Sequence, residues 1–515
     1  MSARPPVVPI AVAASNELAC AAAVQVAAQG GNSVDAALAA TLVTTVSEPG
    51  LVSLAGAGYV TVAPPDGSPP VTIDGGVVMP GKGVDPVRLG GGLRTVSTDY
   101  AGGVTMTVGH GSVATPGALR ALDMASRRYG ALPWQEVLGP AIEVADGGFP
   151  HGQASHHYLT FVHESVFGWQ PESHAALHDE AGELIGPGQR VVVPQLVDSL
   201  RLIAEQGADA FYAGDLARTI VADMEAADGL VTAEDLASYR AAVRPSAQAG
   251  LADWQVCTNP PPAVGGVVLA AMVSLLAGRP SSAGWDADDR LALVAVQRAV
   301  LQHRTQVLDV AEDRITAAQR LLALVELRDL ELISSPSTTH VSVVGADGSA
   351  CAITVSCGYN SGVLVPGTGI WLNNCLGEQE LTPHGPHGQP PGTQLLTAMA
   401  PTVGRRSDGA VLAIGSPGSD RIPTAIAQTL LSHVNGGLAL AAAVAHPRAH
   451  VRVVGGDLVD HEADWPVPGN LTLPTRAMPA HSMYFGGVGV AMWTPDGGLA
   501  AAGDPRRTGA VAISG

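Results

Sequence analysis

The spacing of apolar residues divides this chain into a helical first part and a strand-rich second part. Residues 14 to 46 are rich in Ala, Val and Leu, with polar side chains at helical intervals and one break at Gly30-Gly31-Asn32. This predicts two Ala-rich helices, the second capped by Asn32 or Ser33 and favoured at its positive end by Asp35. Alternation in Tyr59-Val60-Thr61-Val62 and in Val71-Thr72-Ile73, across Pro64-Pro65-Asp66-Gly67, predicts a hairpin. Helices are then expected to dominate. Thr115-Pro116 reads as a cap and first-turn proline, Thr232 with Asp235 as a weak capping box, and residues 288–302 and 316–327 carry helical periodicity.

After about residue 330 the period shortens towards two. Residues 339–344 and 352–356 alternate small and β-branched side chains across Asp347-Gly348, which predicts a buried hairpin. Further strands are expected at 410–414 and 488–493, flanking a helix over 423–433, and the Pro-, Gly- and His-rich stretch 383–392 reads as a loop. No internal repeat is evident.

Composition narrows the function. With 515 residues, 46% hydrophobic and 14% charged, the chain can bury a large core. A net charge of −19 opposes binding to nucleic acid or to an anionic membrane, leaving small molecules as the expected partners. The one lysine, Lys82, is followed by Gly83 and preceded three residues earlier by Met79, so it fits neither a phosphate-binding loop nor a Ser-x-x-Lys hydrolase, and reads as a solvated turn. Cys20, Cys257, Cys351, Cys357 and Cys375 are odd in number and widely spread, which fits a reducing compartment better than a disulfide framework. The first residues show no clean signal-peptide core, and a cytoplasmic location is expected. His151, His156, His157, His384 and His387 lack partners at ligand spacing and are read as surface histidines, with neither metal nor cofactor expected.

Candidate chemistry concentrates where a Ser/Pro loop meets the first strand of the β-rich part, in Ser334-Ser335-Pro336-Ser337-Thr338-Thr339-His340. A hydroxyl there could attack its own preceding carbonyl and, once the ester hydrolyses, leave Thr338 with both a nucleophilic Oγ and a free α-amine. That amine has an ordinary pKa near neutrality and can serve as the base without a His-Asp pair. Taken alone the motif is weak, because hydroxyl residues often open strands simply as β-formers and turn caps.

The rest of the chain strengthens it. Gly30-Gly31-Asn32-Ser33-Val34-Asp35, Tyr129-Gly130-Ala131-Leu132-Pro133-Trp134, Ala210-Phe211-Tyr212, Thr338-Thr339-His340, Leu372-Asn373-Asn374, Met399-Ala400-Pro401-Thr402, Gly415-Ser416-Pro417-Gly418 and Asp504-Pro505-Arg506-Arg507 together resemble the γ-glutamyltransferase family of N-terminal nucleophile hydrolases from end to end. The resemblance implies a four-layer αββα sandwich, an α/β fold. It also implies a single precursor cut between Ser337 and Thr338 into chains 1–337 and 338–515, which form one composite domain. Whether two such pairs join as a heterotetramer stays open. It further implies Thr338 as nucleophile, Ser356 in place of a second threonine that orients it, and the backbone N–H groups of Gly418 and Ser419 as the oxyanion hole.

The implied donor pocket departs from the family pattern. The arginine that holds a glutamyl α-carboxylate is replaced by Gly76, an asparagine by Gly358, a glutamine by Cys375, and the paired serines by Thr397 and Ala398, while Glu378 stands for the acid that binds the α-amine. Losing a bidentate guanidinium removes both charge and geometry. The pattern is similar to γ-glutamyltransferase-like enzymes of antibiotic pathways that build 4-alkyl-L-proline units, of the lincomycin and pyrrolobenzodiazepine type. This implies hydrolysis of a C–C bond that releases an oxalyl unit from a tyrosine-derived pyrroline intermediate, the protonated α-amine being able to return its proton to the leaving carbon. The alternatives are a γ-glutamyl hydrolase or transpeptidase acting on glutathione-like amides, and a non-catalytic homologue.

Overall fold

The computed structural model describes residues 6–99, 103–280, 284–327 and 339–515. Ser337 and Thr338 lie outside the described residues.

The strands that matter are, in chain order, β1 Ile10–Ala14, β2 Ala57–Ala63, β3 Val71–Gly75, β4 Ala242–Pro245, β5 Ala247–Leu251, β6 Trp254–Thr258, β7 Thr339–Gly345, β8 Ala350–Ser356, β9 Thr402–Arg406, β10 Val411–Gly415, β11 Gly489–Thr494, β12 Gly498–Ala502 and β13 Ala510–Ile513. They form a seven-stranded sheet ordered β13-β1-β7-β8-β2-β3-β4 and a six-stranded sheet ordered β12-β11-β10-β9-β6-β5. Both sheets mix strands from either side of residue 338, so neither part could complete a sheet alone. The predicted hairpin of β2 and β3 is present, as is that of β7 and β8, with Thr339 opposite Val355 in register.

The faces that meet between the sheets carry small side chains. Ala11, Ala63, Val344, Ala350, Ala352, Val403, Ala413 and Ala491 form this inner layer. Small residues facing one another let two twisted sheets approach without voids. On the outer face of the first sheet lie α1 Glu17–Ala28, α2 Ser33–Ser47, α3 Ala118–Tyr129 and α4 Trp134–Gly147. On the outer face of the second lie α5 Gly265–Leu275, α6 Ala287–His303, α7 Arg314–Leu327 and α8 Arg421–Val434. The result is a four-layer αββα sandwich.

The helix α2 shows why the Ala-rich pattern needed no polar stripe: its residues are buried all round except Thr45, as expected of a helix enclosed between a sheet and its neighbours. Asn32 caps it, accepting from the N–H groups of Val34 and Asp35, while Asp35 accepts from the N–H of Asn32. Thr232 and Asp235 form the second expected capping box. The cap expected at Thr115 does not occur. Helix α3 begins at Ala118 behind Gly117 without a side-chain cap, and the Thr115 side chain is buried without a partner, because residues 114 and 115 are drawn into contact with Asn373 and Val78. Among the described residues no helix is long and apolar enough to cross a membrane.

Candidate active site

The first described residue of β7, Thr339, directly follows the proposed nucleophile in sequence. Beside it, His340 is buried and hydrogen-bonded through both ring nitrogens, to Thr354 Oγ1 at 2.8 Å and Ser342 Oγ at 2.7 Å. Burial pushes its pKa down to about 3, so the ring is neutral and acts as a structural bridge between β7 and β8 rather than as a base. The ring also lies against Gly415, where a Cβ would come within 2.3 Å of it. This contact brings the turn after β10 to the start of β7, and Pro417 of that turn shares a small cavity with Thr339 and His340.

That turn carries Gly418 and Ser419. Gly418 has φ of +116°, which disfavours any other residue, and a Cβ there would approach Gly486 Cα to 2.8 Å. Ser419 is left-handed at φ +59°. Their carbonyls accept from Arg421 and Ile422 N–H at 3.1 and 3.0 Å, which opens helix α8. Among the described residues no hydrogen bond uses the N–H of Gly418 or Ser419, so two donors beside a helix N-terminus are available to a developing oxyanion. Behind them Asp420 is held by Arg421 at 2.6 Å and by His450 at 3.0 Å.

Ser356 ends β8 and lines a cleft together with Tyr59, Gly76, Cys375, Glu378, Leu395, Leu396, Thr397, Ala398 and Met399. Six residues singled out from the sequence, Gly76, Ser356, Cys375, Glu378, Thr397 and Ala398, therefore meet in one place. Gly358 lies just behind: its N–H donates to Ser356 Oγ at 3.2 Å, and a Cβ on it would stand 2.3 Å from Glu378 Oε1. The place of the absent arginine is filled. A Cβ on Gly76 would meet Gln394 Nε2 at 2.3 Å and Tyr59 Oη at 2.4 Å. Gln394 Nε2 donates to Tyr59 Oη at 2.8 Å and to Asp74 Oδ1 at 2.9 Å, and Asp74 is also paired with Arg244 at 2.8 Å. Among the described residues no cation lines the cleft. Burial pushes the Cys357 thiol up to about 12 and raises that of Cys375 further, so neither is a thiolate nucleophile at neutral pH.

Sequence reasoning missed Glu48, which is 5% exposed and faces the start of β7. It accepts from Asn16 Nδ2 at 2.7 Å, lies 3.5 Å from Thr339 Oγ1, and shares the cavity of Thr339 with Arg507. Its only signal was an acid in Ser47-Glu48-Pro49-Gly50 directly after an otherwise uncharged helix end.

The histidines also depart from expectation. His151 is only 2% exposed, and His387 is hydrogen-bonded to Gly90 and Gly111, so neither is a free surface ring. His163, Glu164 and His178, which the sequence did not single out, place three possible ligand atoms within 4.8 Å of one another. An N–H···N bond accounts for the close histidine pair. His178 Nδ1 donates to the carbonyl of His174, which leaves its Nε2 to accept from His163 Nδ1 at 2.9 Å.

Paired sheets enclosed by helices, with a hydroxyl-bearing strand start beside a glycine turn, define an N-terminal nucleophile hydrolase of the αββα type. The chain matches the Gamma-glutamyltranspeptidase family over residues 19–514 and belongs to it. It is 30% identical to the Acylase ACY 1 proenzyme of Pseudomonas sp. (strain SE83) over 98% of this chain and 93% of that protein. It is 29% identical to the Glutathione hydrolase proenzyme of Pseudomonas aeruginosa over 91% of this chain and 87% of that one. The fold superposes on the solved structure of LmbA2991HD with a TM-score of 0.77 and 24% identity, covering 99% of this chain and 100% of that one.

Proposed function

We propose that this enzyme is an autoprocessed N-terminal threonine hydrolase, cut between Ser337 and Thr338, whose donor cleft has been rebuilt for an acyl group other than γ-glutamyl. The chains 1–337 and 338–515 then form one interleaved sandwich. Thr338 directly precedes Thr339 in sequence, and Thr339 opens a strand paired with the one that Ser356 ends. The observation that carries the altered specificity is the cleft floor at Gly76. An α-carboxylate entering there would meet Asp74, Tyr59 and Gln394, while the guanidinium groups behind them are already engaged, Arg244 by Asp74 and Arg314 by the carbonyl of Gln394. A free amino-acid head group is a poor match to such a surface, because a carboxylate desolvated without a cation costs several kcal/mol, on the order of the penalty for a buried unpaired ion.

The C–C bond reading uses the apolar part of this surface, although the oxalyl carboxylate, like a glutamyl α-carboxylate, gains no cation there. The leaving part of the substrate is an unsaturated ring, suited to Leu395, Leu396, Ala398 and Met399, and the transferred acyl part is only an oxalyl unit. Thr338 Oγ attacks the ketone carbon, its proton passes to the α-amine, and Gly418 and Ser419 N–H groups hold the oxyanion. The C–C bond then breaks, its electron pair entering the conjugated imine of the ring. Water hydrolyses the remaining oxalyl ester. The net reaction adds one water, yielding oxalate and the protonated ring fragment. Five thiols without disulfide partners, all buried, support a cytoplasmic setting for such a biosynthetic step.

The γ-glutamyl reading is the second candidate, on the ground of family membership. One assay separates the two. Purified protein is expected to release oxalate from the pyrroline intermediate and little glutamate from γ-glutamyl-p-nitroanilide. The reverse result removes the C–C bond reading.

A further inference from the structure

Glu378 differs from the other buried acids around this site. Asp74 has Arg244 and Gln394, and Glu48 has Asn16. Glu378 is 2% exposed, lines the cleft, and has no hydrogen-bond donor or cation at its carboxyl group among the described residues. The reason is visible in its neighbours. Gly358 brings only a Cα against Oε1, Cys375 brings a thiol, and Ala398 across the cleft brings a methyl group. An ionised carboxylate in such surroundings would be desolvated with nothing to compensate it.

The titratable groups around it do not supply a positive charge. Cys357 and Cys375 flank it as thiols, Glu380 on the same loop repels a second negative charge, and Tyr59 across the cleft is a neutral phenol. Burial and Glu380 together hold the Glu378 carboxyl well above the usual carboxylate range. Arg304 and Arg421 act on Glu380 and Asp420 instead.

We infer that Glu378 is a neutral carboxylic acid that delivers a proton to the fragment leaving the threonine ester, and that this fragment accepts it on an electron-rich ring rather than on an amine. Where the proton goes rests on the C–C bond reading; the protonated state of Glu378 does not. When the C–C bond breaks, its electron pair enters the ring, the O–H bond of Glu378 breaks, and the proton joins the ring fragment in place of one from the α-ammonium. During ester hydrolysis one proton of the attacking water returns to Glu378. Its hydroxyl completes oxalate, and the ammonium proton returns to Thr338 Oγ. The acid is placed for this role because its Oε1 lies against Gly358, whose N–H is bonded to Ser356 Oγ, at the end of the strand paired with the one that Thr339 opens.

The test uses the processed enzyme and two isosteric or conservative variants, Glu378→Gln and Glu378→Asp. Infrared difference spectra between wild type and Glu378→Gln are expected to show a protonated carboxyl band at neutral pH, with or without turnover. Glu378→Gln, which keeps a donor but cannot give up a proton, is expected to lose about a hundredfold or more in kcat for oxalate release with KM within a few-fold. Glu378→Asp is expected to recover part of that loss. Wild-type kcat is expected to fall as pH rises through the titration of Glu378, a limb that Glu378→Gln lacks. An ionised Glu378 at neutral pH, or full kcat in Glu378→Gln, overturns the inference. A protonated Glu378 in an enzyme that releases no oxalate overturns the C–C bond reading and leaves the neutral acid standing.

Discussion

The start of β7 with the turn after β10, and the cleft between Gly76 and Glu378, are adjacent regions built on opposite physical terms. In the first, buried polar groups have partners: His340 is bonded on both sides, Asp420 is held by Arg421 and His450, and glycine at 418 leaves backbone donors free. In the second, side chains that could hold a charged substrate are gone or turned on one another, with Gln394 and Tyr59 over Gly76 and Glu378 unpaired beside Gly358. The chemistry of acyl transfer needs a fixed geometry, whereas the acyl group is chosen by a handful of contacts. A family can therefore keep the first region and rebuild the second.

The largest effects should come from attacking the first region. Wild-type protein is expected to run on a denaturing gel as chains of 337 and 178 residues (515 − 337). Thr338→Ala is expected to remain a single band and to lose all turnover. An intact but active wild type would show that the nucleophile lies elsewhere. Next comes Gly418→Ala: with φ at +116° and Gly486 Cα 2.8 Å from the new Cβ, the turn must shift and carry its N–H donors away from the oxyanion. Removal of an oxyanion donor costs about 10²–10³ in kcat. A stopped assay with unchanged turnover would remove Gly418 from the reaction. Ser356→Ala is expected to cost roughly tenfold, the scale of one lost buried hydrogen bond, with Ser356→Thr restoring most of it.

The sequence made the scaffold readable and much of the site, but unevenly. Asn32 with Asp35, and the alternation in residues 339–356, were legible because caps and two-residue periods are local. Thr115 misled because a Thr-Pro pair looks the same whether it opens a helix or, as here, leads into one whose first N–H groups are taken by the Gly56 carbonyl and the Tyr212 hydroxyl. Glu48 was invisible: its meaning depends on Thr339 and Arg507, which are hundreds of residues away in sequence. The absence of arginine at position 76 could be read directly, yet the closure of that space by Gln394 could not, since no pattern connects residues 76 and 394.

A smaller effect should appear in stability. His340 titrates near 3 in the folded protein and near 6.5 when unfolded. Between those values the unfolded chain binds a proton that the folded one refuses, so stability rises with pH there and falls on acidification, by about 1.4 kcal/mol per pH unit from this group. Thermal unfolding at pH 7 and pH 5 should therefore show a larger loss for wild type than for His340→Asn, after the general acid sensitivity shared by both is subtracted. Equal losses would mean that the ring is protonated in the folded state, and the neutral bridge between β7 and β8 would be wrong.

The smallest expected effect is the most informative about the cleft. If the two regions were independent modules, restoring the arginine by Gly76→Arg would restore γ-glutamyl hydrolysis. The packing argues otherwise: the new Cβ would meet Gln394 Nε2 at 2.3 Å and Tyr59 Oη at 2.4 Å, and Gln394 is held by Asp74. The guanidinium would have to displace that network before reaching the cleft, where Gly358, Cys375 and Ala398 still offer no partners to the rest of an amino-acid head group. Gly76→Arg alone is therefore expected to leave glutamate release from γ-glutamyl-p-nitroanilide unchanged, and adding Gln394→Ala should bring at most a weak gain. A single substitution that restored γ-glutamyl turnover would mean the cleft had lost one contact and kept the rest of its original specificity, and the case for a different acyl group would fall with it.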